Sequence, residues 1–195
     1  AGPPNGPRSP PMSVTTAPPE PILRSNYRPS DYQIETVDLH FELDELKTRV
    51  RSSMAIRRAG EPGADLVLQG EELTLLSVAL DGETLDEGAY TLGEDTLTLP
   101  SPPDSFCLQI EVQVAPAENK ALSGLYVSGG NFCTQCEAEG FRRIPYFLGR
   151  PDVMARYSVT IEGDRERYPV MLSNGNRIET EALEGGRQRG RWGDP

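Results

Sequence analysis

Two cysteines and two glutamates stand close together in residues 119–153, a long stretch without regular periodicity. Two residues separate Cys133 from Cys136, a spacing found in dithiol redox sites and in half of a zinc site. A zinc site needs four ligands, and the only other soft ligands of the chain are Cys107 and His40. A redox site needs a helix N-terminus in a βαβ unit, which the sequence does not predict. We favour two small, partly buried thiols, with the redox and metal alternatives left open.

The two acids of this stretch are Glu137 and Glu139, which follow the cysteines and precede a run of aromatic residues. That neighbourhood favours partial burial, and a half-buried carboxylate there could bind an ammonium group. The alternative is solvent-exposed surface charge, which is how most glutamates behave. Arg142, Arg143 and Arg150 could supply internal counter-charges for the loop or could equally lie exposed.

The rest of the composition excludes several classes of function. His40 is the only histidine, which argues against a Ser-His-Asp triad and against a zinc site with two imidazoles. The net charge of -11 makes nucleic acid an unlikely partner, because the protein repels phosphate. We therefore interpret Arg187, Arg189 and Arg191 as the outward face of an edge strand. No apolar run is long enough to span a membrane.

The elements that would position this loop are mostly strands. Residues 1–25 are rich in proline and poor in large apolar side chains, so we expect a disordered tail. The tail lacks the features of a secretory signal, and the number of cysteines is odd, so we expect a reducing, cytoplasmic compartment.

After the tail, apolar residues alternate with polar ones at period two, and Asp81-Gly82 and Asn174-Gly175 predict tight turns. The predicted strands centre on residues 37–43, 50–56, 66–68, 73–80, 97–99, 106–114, 155–161, 168–172 and 177–180. The pattern predicts a mainly β domain, an antiparallel sandwich or saddle-shaped sheet.

The loop and the segment after it resemble a known family. Residues 133–176 read CTQCEAEGFRRIPYFLGRPDVMARYSVTIEGDRERYPVMLSNGN, and the most specific part of the resemblance is residues 122–142, LSGLYVSGGNFCTQCEAEGFR. The opening strands, NYRPSDYQIETVDLHFELDELKTRVRSSMAIRR, fit as well. Residues 26–195 thus resemble the N-terminal β domain of the bacterial-type aminopeptidase N family, which are zinc aminopeptidases of the gluzincin class. The resemblance does not extend to the tail.

This resemblance implies roles for two residues of the loop. It implies that Glu137 binds the free α-ammonium of a peptide substrate and that Gln135 lines the pocket for the first residue. The family's catalytic domain, with its G-x-M-E-N and H-E-x-x-H motifs, would hold the zinc and pack against this domain. Neither motif occurs here, so the resemblance implies a fragment that lacks the last strand of the β domain and is inactive alone. The alternatives are a stand-alone, non-catalytic β-sandwich binding module and an independent dithiol redox module.

Overall fold

The computed structural model describes residues 23–194. Most of the tail predicted to be disordered, residues 1–25, lies outside the described residues, and of its last three residues Arg24 and Ser25 belong to a 3-10 turn. Four short 3-10 turns occur in the described part, at Arg24–Asn26, Glu87–Ala89, Gly140–Arg143 and Glu184–Gly186. Its strands, in chain order, are β1 (Tyr32–Glu42), β2 (Thr48–Arg58), β3 (Leu66–Gln69), β4 (Thr74–Leu80), β5 (Glu83–Thr84), β6 (Thr91–Leu92), β7 (Thr96–Leu99), β8 (Ser105–Val114), β9 (Gly124–Ser128), β10 (Asn131–Gln135), β11 (Arg156–Asp164), β12 (Asn176–Ala182) and β13 (Arg187–Asp194).

Three sheets form the domain. Eight strands make one large sheet in the order β12-β13-β11-β1-β2-β8-β4-β5. A three-stranded sheet, β3-β7-β6, and the hairpin β9-β10 are the smaller ones. The prediction of a mainly β fold is confirmed.

The core lies between the large sheet and the small one. The alternation predicted for β1 and β2 is present, because every second side chain of the β1–β2 hairpin is buried except at an irregularity between Ile34 and Thr36 that shifts the phase of β1. Val50, Met54 and Leu108 are completely inaccessible to solvent on the large sheet. Leu66 and Leu97, also inaccessible, project from the small sheet into the same apolar cluster. Burial of such side chains on both layers is the main stabilising contribution in this fold.

The large sheet is not wholly antiparallel. Strand β11 pairs in parallel with β1, in a register that sets Val37 beside Tyr157 and Phe41 beside Ile161. Period-two patterning predicts which residues form a strand but not which neighbour it takes or in which direction, so this pairing was not predicted. It brings the segment after the cysteine loop into the middle of the sheet.

The predicted turn at Asp81-Gly82 is confirmed, but the strand predicted at residues 168–172 is wrong. Asp81 and Gly82 both have positive φ, and they join β4 to β5. Residues 168–172 pair with no strand among the described residues, and Pro169 has no N–H to donate to a ladder. After this segment, Gly175 packs closely on β13: a Cβ atom at Gly175 would lie 2.2 Å from the Gly193 carbonyl oxygen.

Two further expectations are corrected. The strand with Arg187, Arg189 and Arg191 is not an edge, because β13 lies between β11 and β12. Arg189 is paired with Glu162 and Glu181, and Arg191 Nη2 lies 3.9 Å from Asp38 Oδ2. Residues 119–153, expected to be irregular, contain the β9–β10 hairpin and one 3-10 turn.

Candidate functional site

A cleft of about 900 Å³ opens between the large sheet and the cysteine loop. Its floor is the inner face of β1, β11 and β13, which contributes Phe41, Val159 and Trp192. One wall is strand β10 with the residues that follow it, and the other is the unpaired segment 168–174. Both residues to which the resemblance gave a role, Gln135 and Glu137, line this cleft.

The β9–β10 hairpin places Gln135 and Glu137 at the cleft. Gln135 is the last residue of β10 and pairs with Gly124 at the start of β9. Glu137 follows Gln135 by two residues and lies in a turn. The Gly140 N–H closes this turn by donating to the Cys136 carbonyl at 2.9 Å. Gln135 and Glu137 are both exposed, whereas partial burial of Glu137 was expected.

The two glutamates of the loop differ in their partners. The carboxylate of Glu139 pairs with the guanidinium of Arg142 at 3.2 Å. No lysine, arginine or histidine of residues 23–194 lies within ion-pair distance of Glu137. Glu137 therefore presents a carboxylate to the cleft without a counter-charge from the described part of the chain.

The base of the loop is held by ion pairs with the β3–β4 connection. Arg143, with a side chain only 12% exposed, donates from Nη1 to Glu72 Oε2 at 2.7 Å and from Nη2 to Glu71. The Glu71 N–H in turn donates to the Arg142 carbonyl at 2.9 Å. Burial alone would lower the pKa of the Arg143 guanidinium, but the two carboxylates raise it. These contacts tie the turn that carries Glu137 to the rigid core.

Two glycines allow this close packing. A Cβ atom on Gly140 would lie 2.4 Å from the Gln135 carbonyl oxygen and 2.7 Å from Ser123 Oγ. Gly124 has φ of +75°, and a Cβ atom there would lie 2.6 Å from the Arg143 Cβ atom. Any side chain at either position forces the backbone of β9 and the loop apart.

The cysteines behave as structural residues. Cys133 and Cys136 are free thiols, partly buried, on a hairpin and just after it rather than at a helix N-terminus. Burial raises the pKa of the Cys136 thiol, which disfavours the reactive thiolate. Among residues 23–194, no group of three or more His, Cys, Asp and Glu side chains is arranged to hold a metal ion.

The single histidine and the third arginine also have structural partners. His40 Nε2 lies 3.1 Å from Glu162 Oε1, in the large sheet, and does not line the cleft. Arg150 donates to Asp152 at 2.7 Å and to the Arg28 carbonyl at 2.6 Å, so it fastens the first described residues to the end of the loop. Arg142, Arg143 and Arg150 thus all serve as counter-charges to acidic side chains.

Sequence reasoning missed the second wall of the cleft. Tyr168, Met171 and Leu172 belong to this wall, and Asp194 of β13 lines the cleft as well. The alternation of Val170 and Leu172 predicts a strand, and the one local signal against pairing is Pro169, which has no N–H to donate to a ladder.

Comparison with known protein families shows to which family the chain belongs. Residues 28–194 match the family described as the Peptidase M1 N-terminal domain. The chain belongs to this family. The match includes the cleft, its two walls and the whole cysteine loop.

Individual relatives agree with the assignment of this M1 N-terminal domain. It is 49% identical over 182 residues to aminopeptidase N of Caulobacter vibrioides, a match that covers 93% of this chain and 21% of that protein. The crystal structure of Legionella pneumophila aminopeptidase A in complex with aspartic acid has a TM-score of 0.81 and 34% identity, over 87% of this chain and 20% of that one. An M1 zinc metallopeptidase from Deinococcus radiodurans shares the fold, with a TM-score of 0.70 at 13% identity, over 85% of this chain and 39% of that one. The chain spans about a fifth of the length of the curated relatives it matches.

A search of the described residues for membrane-crossing helices finds none that is long and apolar enough.

Proposed function

We propose that this M1 N-terminal domain anchors the peptide substrate of a zinc-dependent aminopeptidase, with Glu137 binding the substrate α-ammonium. The observation that carries the proposal is the exposed carboxylate of Glu137 on a cleft wall, without a counter-charge among residues 23–194. A second support is the firm attachment of its loop through Arg143 to Glu71 and Glu72. The aminopeptidase names of the relatives are consistent with it.

The chemistry of an aminopeptidase explains why an anchored carboxylate is useful. A peptide α-amine has a pKa of about 8, so much of it is cationic at neutral pH. A fixed carboxylate pairs with that cation and holds the first peptide bond at a set distance, which removes orientational freedom before reaction. Gln135, exposed on the same wall, would line the pocket for the first side chain.

The zinc belongs to another part of the longer protein in this proposal. Residues 23–194 offer no suitable donor set, so they do not fit the metal. We place its ligands in a catalytic domain outside residues 26–195; one of the structural neighbours is described as an M1 zinc metallopeptidase. We also propose a cytoplasmic location, with peptides rather than nucleic acid or membrane as partners.

Sequencing the gene past the codon for Pro195 tests the domain arrangement, because the frame should continue into G-x-M-E-N and H-E-x-x-H motifs. An immediate stop codon would favour a stand-alone binding module.

Kinetics of the complete enzyme test the role of Glu137. A hydrogen bond to a charged group contributes about 1.5–3 kcal/mol, so Glu137→Ala should lower kcat/KM for an alanyl anilide about 10- to 150-fold. Glu139→Ala is the matched control, because Glu139 lies in the same turn but is already paired with Arg142. It should change kcat/KM less than about fivefold, as expected for an exposed ion pair. Equal kinetics for wild type and Glu137→Ala would remove Glu137 from the site.

A further inference from the structure

The edge of β9 that faces away from β10 is satisfied by one side chain and one turn. Asn119 Nδ2 donates to the Ser123 carbonyl at 2.7 Å and to the Leu125 carbonyl at 2.9 Å. Further along the strand, the Val127 N–H donates to the Pro116 carbonyl at 3.1 Å. Alternate residues of a strand present their backbone groups to the same side, and the opposite side of β9 pairs with β10. The Asn119 side chain therefore takes the place of a third strand.

The amide of Asn119 suits this position because it both donates and accepts. Its Oδ1 accepts from the Ala121 N–H at 3.1 Å, in addition to the two bonds that Nδ2 donates. The turn that carries Asn119 is fastened to the β1–β2 connection, where the Ala117 N–H donates to the Glu45 carbonyl at 2.8 Å. An aspartate has almost the same shape, but its carboxylate donates nothing and would lie against two carbonyl oxygens. Replacing the amide by a carboxylate therefore removes support from β9 with little change in volume.

The backbone that Asn119 holds packs directly against the turn that carries Glu137. A Cβ atom on Gly140, which ends this turn, would lie 2.7 Å from Ser123 Oγ and 3.1 Å from the Gly124 nitrogen. Gly124 also belongs to the pair that joins β9 to the last residue of β10. Because no space separates these backbones, a shift of Ser123 or Gly124 must move the turn.

Glu137 depends on this support for its position. Arg143 holds the far end of the turn through Glu71 and Glu72, and Asn119 holds the backbone against which its near end packs. The Glu137 carboxylate has no cationic partner in the described part of the chain, so no ion pair fixes it directly. The backbone of the turn therefore sets where this carboxylate stands in the cleft.

We propose that Asn119 is a positioning residue of the substrate anchor, which fixes the Ser123 and Leu125 carbonyls so that Glu137 meets the substrate α-ammonium. The inference rests on the proposed function, because it gives Asn119 a role only through Glu137. Asn119 does not line the cleft, so its effect on the substrate must pass through the backbone that it holds.

A double-mutant cycle in the complete enzyme tests this coupling. Asn119→Asp should lower kcat/KM for an alanyl anilide at least about threefold in the wild-type background, because a displaced carboxylate contributes less to binding. In the Glu137→Ala background the same change should lower kcat/KM less than about 1.5-fold, because the group through which Asn119 acts is gone. Asn176→Asp is the matched control, because Asn176 is exposed and does not line the cleft, and it should have no effect in either background.

The outcomes separate this inference from the proposed function. Equal losses of kcat/KM in both backgrounds would show a general structural role for Asn119 and overturn the inference. If Glu137→Ala lowers kcat/KM but Asn119→Asp does not, only the positioning role fails. If Glu137→Ala itself matches wild type, the anchor is refuted, and the role of Asn119 with it.

Amide hydrogen exchange in the 195-residue chain tests the structural step without relying on activity. The Gly140 N–H, which closes the turn by donating to the Cys136 carbonyl, should exchange at least about fivefold faster in Asn119→Asp than in wild type. Asn176→Asp should leave this exchange unchanged. The Leu108 N–H, on a strand in the middle of the large sheet, reports opening of the whole domain. Unchanged exchange at Gly140, or equal acceleration at Gly140 and Leu108, would overturn the proposal.

Discussion

Removing the charge of Arg143 should loosen the base of the loop that carries Glu137. The change is Arg143→Met, which keeps much of the side-chain volume and eliminates both ion pairs. The guanidinium is 12% exposed, while its partners Glu71 and Glu72 are 38% and 66% exposed. A buried charge-assisted hydrogen bond contributes about 1.5–3 kcal/mol, but solvent screening at the two carboxylates reduces this, so we expect a total loss of about 1–2 kcal/mol.

Thermal unfolding of the 195-residue chain measures this loss. For a domain of this size, 1 kcal/mol corresponds to about 2–4 °C in Tm, so Arg143→Met should melt about 2–8 °C below wild type. Arg57→Met is the control, because Arg57 and its partner Glu35 are both more than half exposed. That change should shift Tm by less than about 2 °C. The reasoning fails if Arg143→Met melts with wild type, or if Arg57→Met is equally destabilising.

Three smaller changes probe the loop and its surroundings. Gly140→Ala should destabilise the domain by about 1–3 kcal/mol in a denaturant titration, because its Cβ atom would meet the Gln135 carbonyl oxygen, whereas Gly88→Ala, with open space around it, should not. The Arg150 guanidinium lowers the pKa of the Asp152 carboxyl, so the ionised form stabilises the fold above the unfolded pKa of about 3.9 and this stability is lost as pH falls below it. The Tm difference between wild type and Asp152→Asn should therefore narrow from pH ~5 to pH ~2.5, and a constant difference would contradict the assignment. Iodoacetamide should label both cysteines of the loop slowly near neutral pH, and fast labelling at either would revive the redox alternative.

Local patterns predicted the elements that depend on local physics. The alternation through Val37, Leu39 and Phe41 identified β1, because a strand buried on one face must alternate. Asp81-Gly82 identified its turn, because two consecutive residues with positive φ favour these residue types. The same logic failed at Val170 and Leu172, where alternating apolar side chains line a cleft instead of pairing in a sheet.

Contacts between distant parts of the chain could not be predicted in this way. The parallel pairing of Leu39 with Val159 joins residues 120 positions apart, and the ion pairs of Arg143 with Glu71 and Glu72 span more than 70. No periodicity or turn signal encodes such partners. The neighbourhood of Glu137 and Glu139 made both of them candidates and the resemblance singled out Glu137, but its exposure depends on the surrounding fold. Sequence thus supplied the candidate, and the fold supplied its surroundings.

The most direct test of the central claim compares two inhibitors that differ only in the α-ammonium. L-alanine hydroxamate and propionohydroxamate have the same metal-binding group, and the ratio of their inhibition constants reports the contribution of the amine. If Glu137 binds that amine, the ratio in the complete enzyme should shrink at least about tenfold in Glu137→Gln, while propionohydroxamate binds both proteins alike. An identical ratio in wild type and Glu137→Gln would contradict the account.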